Sequence, residues 1–424
     1  MISNPDLLAA IAAAERPDPT RSAIHAFLAA AWCFFLVSSR SVEAALFVAL
    51  ILITILRFRE IVPCWWAAIR TVPAAALVSW LVLVTIVTLA AGTTDSIWDS
   101  LPRRQFLVPS LLIPVVHRWR LLLISLASGS LLTSLLSAFE SAEVLLRDDV
   151  STMGWDSRGG FILPLTAVAG LAAIGARRSG VVAVGALFTA IAFAAIALSS
   201  QRSSTAAAVI GAVVLLLLAP WPRVARLGVG GAAILVATIA ISASLWVGGA
   251  ASKNLGKDLN SYSSGRLCLW QATLDACRER PWFGYGLQAW RAVILYRNAT
   301  DPDTLSCLAA VEANADSVYS HNLEIDLLFE SGAIGLAILS IGLIVGGRTV
   351  LRRRTAEPLT AVAVAMFAAT LATGQFDHAL ARGIPCGLMM LFSTICLLPR
   401  PDQTDFARRR LGEEDQWIDS WTSR

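Results

Sequence analysis

The sequence predicts an all-α membrane protein with about twelve transmembrane helices and one large loop region outside the membrane. Of its 424 residues 56% are hydrophobic and 15% are charged, and the mean hydropathy is +0.66. Soluble proteins carry about 25% charged residues. The stretches 74–92 and 180–199 contain no ionisable residue, and about 20 apolar residues suffice to cross the hydrocarbon core. These stretches are therefore predicted to span a membrane.

Apolar runs separated by polar residues locate the individual spans. The second, fourth and sixth are short, so each could be tilted or re-entrant and the count could change by about one or two. The predicted spans are 23–38, 43–57, 71–92, 105–117, 119–138, 160–176, 180–198, 203–220, 227–247, 321–347, 358–376 and 383–399.

These spans divide the chain into four parts. Residues 1–247 hold the first nine transmembrane helices, 248–320 form the large loop, 321–399 hold the last three helices, and 400–424 form a polar tail. The loop occurs once, after the ninth span. A transporter built from two matched halves would place a repeat there instead, so the asymmetry argues against that class.

Basic residues predict the orientation of the chain. If both termini lie in the cytoplasm, the clusters around Arg57, Arg118, Arg177, Arg223 and Arg352 also fall inside, as the positive-inside rule requires. The loop 248–320 then lies in the periplasm. It has equal numbers of basic and acidic residues, which is typical of a folded segment.

A role in binding nucleic acid is not expected, because the net charge of +4 is small and scattered. Cys33, Cys64, Cys386 and Cys396 lie in or beside apolar spans and are predicted to pack as small hydrophobic residues. The remaining three, Cys268, Cys277 and Cys307, share the periplasmic loop, where a disulfide is possible but is not required by the sequence.

Two arginines stand at predicted outer ends of helices. Arg202 lies in a short polar connection rich in serine between two charge-free spans, a setting that suits a phosphate as well as a simple loop. Arg266 is predicted to begin a helix after Ser263-Ser264-Gly265, with Trp270 one turn further on and Pro281 ending it. An arginine at a helix N-terminus indicates an anion site, although a solvated helix start explains the same residues.

A histidine opens the tenth span. If Ser320 caps that helix, His321 lies in its first turn, where the helix dipole favours a neutral imidazole that can accept a proton. Glu324, three residues on, would share its face and could orient the ring. A capping histidine without chemistry is the alternative. A fourth polar place is the segment 375–378 with Asp377, which a charged helix end also explains.

Three motifs together resemble a known family. They are Ser-Gln-Arg-Ser-Ser after an apolar span, Gly-Arg-x-x-x-Trp leading to Pro-Trp-Phe-Gly-Tyr-Gly, and a Ser-His-Asn segment followed by Glu-x-Gly-x-x-Gly-Leu. Over about residues 155 to 400 the chain is similar to the O-antigen ligase and polymerase superfamily. The Ser-His-Asn segment is the most specific of the three.

The resemblance implies both a fold and a reaction. Such enzymes have a GT-C-like helical membrane bundle in the bacterial inner membrane, and at its periplasmic face they transfer O-antigen glycan from undecaprenyl diphosphate to a sugar hydroxyl of lipid A-core. By position, Arg202 and Arg266 match diphosphate-binding arginines, His321 the essential histidine and Asp377 a less certain acidic position. Asn322, Glu324 and Trp270 are expected to support them.

The chemistry of these residues agrees with that implication. Cleavage of a sugar-diphosphate bond builds negative charge that two arginines can stabilise, so no metal or other cofactor is expected. A neutral His321 can take the proton of the acceptor hydroxyl, and a single displacement predicts inversion. Asp301 and Asp303 have a spacing that could hold a divalent cation, but they also read as a turn.

Several related functions fit the same motifs. A polymerase uses the same donor and extends another lipid-linked glycan, and a protein O-oligosaccharyltransferase transfers the glycan to protein. The sequence does not separate these acceptors. A transporter is the alternative from another class, and it would need ionisable residues near mid-membrane on several helices, whereas here they cluster at one face.

Overall fold

The computed structural model describes most of the helical residues of the chain. The described residues are 5–91, 107–146, 158–175, 179–198, 202–219, 221–222, 226–231, 233–234, 266–287, 289–290, 293–294, 320, 322–351, 358–375 and 383–395. Within these ranges the chain forms helices and contains no strand. The predicted all-helical class is therefore confirmed for this part of the chain.

The helices follow one another through short connections. In chain order they are α1 (Pro5–Glu15), α2 (Pro19–Phe35), α3 (Arg40–Leu56), α4 (Phe58–Ile69), α5 (Val72–Ala90), α6 (Val108–Leu112), a 3-10 helix (Ile113–Arg118), α7 (Trp119–Leu146), α8 (Arg158–Ile174), α9 (Ser179–Leu198), α10 (Arg202–Leu218), α11 (Arg266–Glu279), α12 (Leu323–Leu351), α13 (Pro358–Gly374) and α14 (Gly383–Ile395).

Polar side chains set several helix starts. Asp18 caps α2 by accepting a hydrogen bond from the Arg21 amide at 2.9 Å, and Pro19 occupies the first helical position. Both features favour initiation, because the first amides of a helix lack partners within it. Ser39 likewise caps α3 through the Val42 amide.

Several helices have the length and composition of membrane spans. Val72–Ala90, Val108–Leu136 and Leu323–Thr349 are each long and apolar enough to cross a bilayer, and the bent pair of α3 and α4 raises the number to four. Shorter apolar helices lie at Ile162–Ile174, Gly180–Ile196, Ser203–Leu218 and Leu359–Gly374. The chain is a helical membrane protein.

The predicted fourth and fifth spans, 105–117 and 119–138, are not separate. The short α6 continues through the 3-10 helix directly into α7, and together they give one candidate span from Val108 to Leu136. The basic residues Arg118 and Arg120 suggested a loop at this point, but no glycine or asparagine turn accompanies them. Arg118 instead lies 3.4 Å from the Glu15 carboxylate within the protein.

The segment around Trp65 and Trp66 was expected at an interface. Its helix, α4, is bent by 98° from α3, and Trp66 is 62% exposed. A helix nearly perpendicular to its neighbour can lie along a membrane surface. Cys33 and Cys64 are buried, as their apolar surroundings predicted.

Small residues allow close packing in the second half of the bundle. A Cβ atom at Gly170 of α8 would collide with Thr189 of α9, and one at Gly211 of α10 would press on Val168 of α8 and Ala369 of α13. Close helix contacts through glycine are common in membranes, where dispersion replaces the hydrophobic effect between helices. α13 is thereby held along α8 and α10.

Candidate functional site

The start of α12 is capped by Asn322. Its Oδ1 accepts a hydrogen bond from the Ile325 amide at 3.0 Å, and α12 begins at Leu323. The sequence-based expectation of a Ser320 cap with His321 in the first turn is therefore wrong. The asparagine side chain reaches the free amide three residues on, so the histidine position precedes the cap.

Ser320 is fully buried and links three parts of this end of the bundle. Its carbonyl accepts a hydrogen bond from the Trp270 indole of α11 at 2.8 Å, and its amide donates to Oδ1 of Asp326 at 3.2 Å. Its hydroxyl also bonds the backbone of Asn322. Trp270, predicted as a supporting residue, thus contacts the residue directly before His321.

The end of α13 lies against the start of α12. The Asn322 amide group donates to the Gln375 carbonyl at 3.3 Å, and the Gln375 side chain donates to Oε1 of Glu324 at 2.6 Å. Glu324 is exposed and uses this oxygen to bind a neighbouring helix end. These bonds bring the residues next to His321 in the sequence to the residue two positions before Asp377.

The charged candidates themselves are described only in part. Arg266 is the first residue of α11 and Arg202 the first residue of α10, and neither side chain is among the described parts. His321 and Asp377 lie outside the described residues, as do Asp301 and Asp303. We call the region where α12 begins and α13 ends the Asn322 end of the bundle. It includes the contacts of Ser320 with α11.

A second hydrophobic core, separate from the main one, holds α11 in place. Leu269, Thr273, Ala276 and Cys277 form the buried face of α11, whereas Leu267 and Leu274 of the predicted apolar face are exposed. The members of the second core are Leu269, Ala276, Cys277, Tyr285, Ala289, Trp290, Ile294 and Phe329.

Aromatic residues tie this core to α12. The ring of Tyr285 stacks on Phe329 with 4.9 Å between centroids, and its hydroxyl donates to the Ala276 carbonyl at 3.1 Å. The Trp290 indole donates to the Thr273 hydroxyl at 2.8 Å. α11 and the beginning of α12 are consequently packed as one unit.

α12 is interrupted at Gly332, which has φ +64° and ψ −173°. The interruption removes helical partners from the carbonyls of Phe329 and Glu330 and from the amides of Ala333 and Ile334. A buried polar group left without a partner costs about 1–3 kcal/mol.

The turn at residues 281–286 supplies the missing partners. The amides of Tyr285 and Gly286 donate to the two carbonyls at 2.8 and 2.9 Å, and the carbonyls of Pro281 and Trp282 accept from the two amides at 2.8 and 3.2 Å. The sequence showed both motifs, Pro-Trp-Phe-Gly-Tyr-Gly and Glu-x-Gly, but not that they bind each other.

An apolar cleft of about 350 Å³ extends from the Asn322 end along α12. Leu323 and Leu327 line it near the site, and Leu343 and Gly347 line it further along the helix. Walls also come from α4, α5, α6, α13 and α14. The hydroxyls of its two polar lining residues, Ser110 and Thr394, donate to carbonyls of their own segments, so they present no free donor to an occupant.

No group of three or more metal-ligating side chains occurs among the residues that the structure describes. The Asp301 and Asp303 pair is outside that part of the chain.

The fold and this polar end define a helical membrane protein with a candidate site where α11, α12 and α13 meet. Residues 185–340 match the family model described as O-antigen ligase. The chain therefore carries a domain of the O-antigen ligase family, as its motifs had suggested. The match includes Arg202, Arg266, Trp270, His321 and Asn322 and stops before Asp377.

At the level of the family this supports an enzyme of the glycan ligase or polymerase type. No curated protein matches the chain.

Proposed function

We propose that the protein is an O-antigen ligase. It is an inverting, metal-independent glycosyltransferase that moves glycan from undecaprenyl diphosphate to a sugar hydroxyl of lipid A-core, in lipopolysaccharide biosynthesis. The proposal includes about twelve membrane-spanning helices in a GT-C-like arrangement. The observation that carries it is the meeting of three family motifs at one end of the bundle, through the Trp270–Ser320 and Asn322–Gln375 hydrogen bonds.

Arg202 and Arg266 have the role of binding the donor diphosphate. Each is the first residue of a helix, where free backbone amides and the helix dipole also favour an anion. Guanidinium groups keep their charge and bind phosphate oxygens in pairs. They would stabilise the negative charge that develops as the bond from sugar C1 to the diphosphate breaks.

His321 has the role of general base. It takes the proton from the acceptor hydroxyl as that oxygen attacks C1, and the diphosphate leaves from the opposite face. Because Ser320 and Asn322 on either side of it are held by hydrogen bonds to α11 and α13, its backbone is anchored on both sides. Glu324 and Asp377 would support the site from α12 and from beyond the end of α13.

The apolar cleft beside α12 supports a lipid-linked donor. Its lining offers apolar surface and no free hydroxyl donor, and Leu323 brings it to within two residues of His321 in the sequence. A polyprenyl chain seated there would place its diphosphate at the Asn322 end. Burial of apolar surface contributes about 25 cal/mol for each Å².

Two alanine variants test the assignment. In cells, His321→Ala or Arg266→Ala should abolish glycan on lipid A-core while lipid-linked polymer accumulates, and in a purified assay the loss should be about a hundredfold or more. Arg278→Ala is the matched control, since Arg278 is on the same helix, 80% exposed and paired only locally with Asp275. Normal ligation in the two alanine variants would refute the site.

The acceptor is tested in the same cells. If His321→Ala instead leaves lipid-linked glycan short, the protein is the polymerase, and if glycan is lost from protein it is an oligosaccharyltransferase. Unchanged glycans with altered substrate movement across the membrane would favour a transporter. Loss of activity with a chelator would return Asp301 and Asp303 to consideration as cation ligands.

We also propose that the site faces the periplasm in the inner membrane, with both termini in the cytoplasm. A thiol introduced by Arg278→Cys should react with a membrane-impermeant maleimide in spheroplasts. One introduced by Arg59→Cys, also exposed, should react only after permeabilisation. The reverse pattern would invert the orientation.

A further inference from the structure

The three described residues with positive φ, Gly284, Gly286 and Gly332, lie in one contact. It joins the turn at 281–286 to the interruption of α12. A Cβ atom at Gly332 would collide with the carbonyl of Trp282, and one at Gly284 with the carbonyl of Phe329. Neither the backbone conformation nor the space admits another residue without a shift.

The turn bonds α12 on both sides of its interruption. The Tyr285 and Gly286 amides bind carbonyls before Gly332, and the Pro281 and Trp282 carbonyls bind amides after it. A hinge would be bonded on one side only and left free to bend. Here the angle between the first segment of α12, residues 323–331, and its second segment, residues 333–351, is set by the turn.

A third helix completes this junction. The Leu287 amide, directly after the turn, donates to the Thr88 hydroxyl of α5 at 2.8 Å, and Thr88 donates in turn to the Val84 carbonyl at 2.7 Å. The Trp80 indole of α5 donates to the Ser331 hydroxyl at 3.0 Å, one residue before the interruption. The junction is thereby attached to the main bundle.

We propose that this junction is a positioning device for the proposed reaction, with Gly332 and Thr88 as positioning residues. The turn follows α11, which begins at Arg266, and it holds the segment of α12 that follows His321. It therefore sets the distance between the diphosphate-binding arginine and the general base, although no residue of the junction touches substrate. This role rests on the proposed function.

The test compares Gly332→Ala with wild type in a purified transfer assay. We expect kcat to fall about ten- to a hundredfold, because a shift of about 1 Å in catalytic geometry has that effect, while KM for the lipid-linked donor changes less than about twofold. Gly180→Ala is the control, since a Cβ there meets no atom within 4 Å, and it should match wild type. Unchanged kcat in Gly332→Ala, or a change in KM alone, would overturn the proposal.

A milder pair of variants decides the matter if Gly332→Ala does not fold. Thr88→Val removes the acceptor of the Leu287 amide and should lower kcat, and Thr88→Ser, which keeps the hydroxyl, should restore it. Equal kcat values in the two would refute a positioning role. If the wild type itself transfers no glycan, the proposed function fails and the positioning role with it, whereas active wild type with active variants refutes the positioning role alone.

Discussion

Two polar regions of the bundle use their side chains differently. Around Arg57, charged groups bind each other inside the protein. The Arg57 guanidinium, 1% exposed, donates to Glu60 at 2.9 Å, to the Ala14 carbonyl at 2.8 Å and to Nδ1 of His25 at 3.3 Å. At the Asn322 end the described polar side chains bind backbone groups instead, as Trp270 does with Ser320.

The difference separates a stabilising region from a presenting one. Charges that neutralise each other in the interior are committed to folding and are not available to a ligand. Hydrogen bonds that fix backbone leave neighbouring charged residues to face a substrate, as proposed for Arg266 and His321. Variants in the first region should therefore change stability with normal activity per folded molecule, and variants in the second should do the reverse.

The largest effect is expected from Arg57→Met. Removing the guanidinium leaves Glu60, His25 and the Ala14 carbonyl without a shared donor in a buried place, at a cost of about 3–5 kcal/mol. Thermal unfolding in detergent should show a large drop and the folded yield should fall, while transfer per folded molecule stays normal. Arg59→Met, at an exposed neighbour, should be silent. A selective loss of kcat in Arg57→Met would contradict the comparison.

A smaller effect, divided between stability and activity, is expected at Asn322. Asn322→Ala removes the cap of α12 and the bond to Gln375, and loss of a cap costs about 1 kcal/mol. Asn322→Asp keeps the capping oxygen but loses the donor to Gln375. We therefore expect near-normal stability in the aspartate variant with reduced transfer in both. Full activity of Asn322→Asp would show that the link to α13 does not matter.

The smallest effect concerns Glu15 and the pH dependence of stability. Burial raises the pKa of Glu15, but the hydrogen bond and charge of His117 and the charge of Arg118 outweigh it, so the pKa lies below its ordinary value of 4.5. The charged form is thus favoured in the folded protein. Its contribution is present above that ordinary value and is lost as the pH falls through the lowered pKa.

The measurement is thermal unfolding of wild type and Glu15→Gln from about pH 7 to about pH 3. Wild type should be the more stable at neutral pH, and the difference should shrink in acid. A difference that does not depend on pH would show that the carboxylate charge contributes nothing here.

Much of the fold was predictable because membrane insertion depends on composition. The spans at 71–92 and 180–198 were located within a few residues, since an apolar run of that length has few alternatives. The merger of 105–117 with 119–138 was not, because basic residues resemble a loop whether they meet solvent or an internal partner such as Glu15.

The site was predictable as residue types and less so as contacts. Trp270 and Glu324 were singled out correctly as neighbours of the Ser-His-Asn segment, and both bind groups within a few residues of His321. The cap was misassigned to Ser320, because serine and asparagine are nearly equal in capping preference and only the geometry selects between them.

By itself the sequence determined the helical membrane class, the family and the residues with suitable chemistry, because these depend on composition and on short motifs. Only the tertiary structure decided that the glycine-rich turn at 281–286 binds the interrupted helix at Gly332. The reason is physical: a backbone group carries no label in the sequence for its partner, and a hydrogen bond between residues about fifty positions apart exists only once the chain has folded.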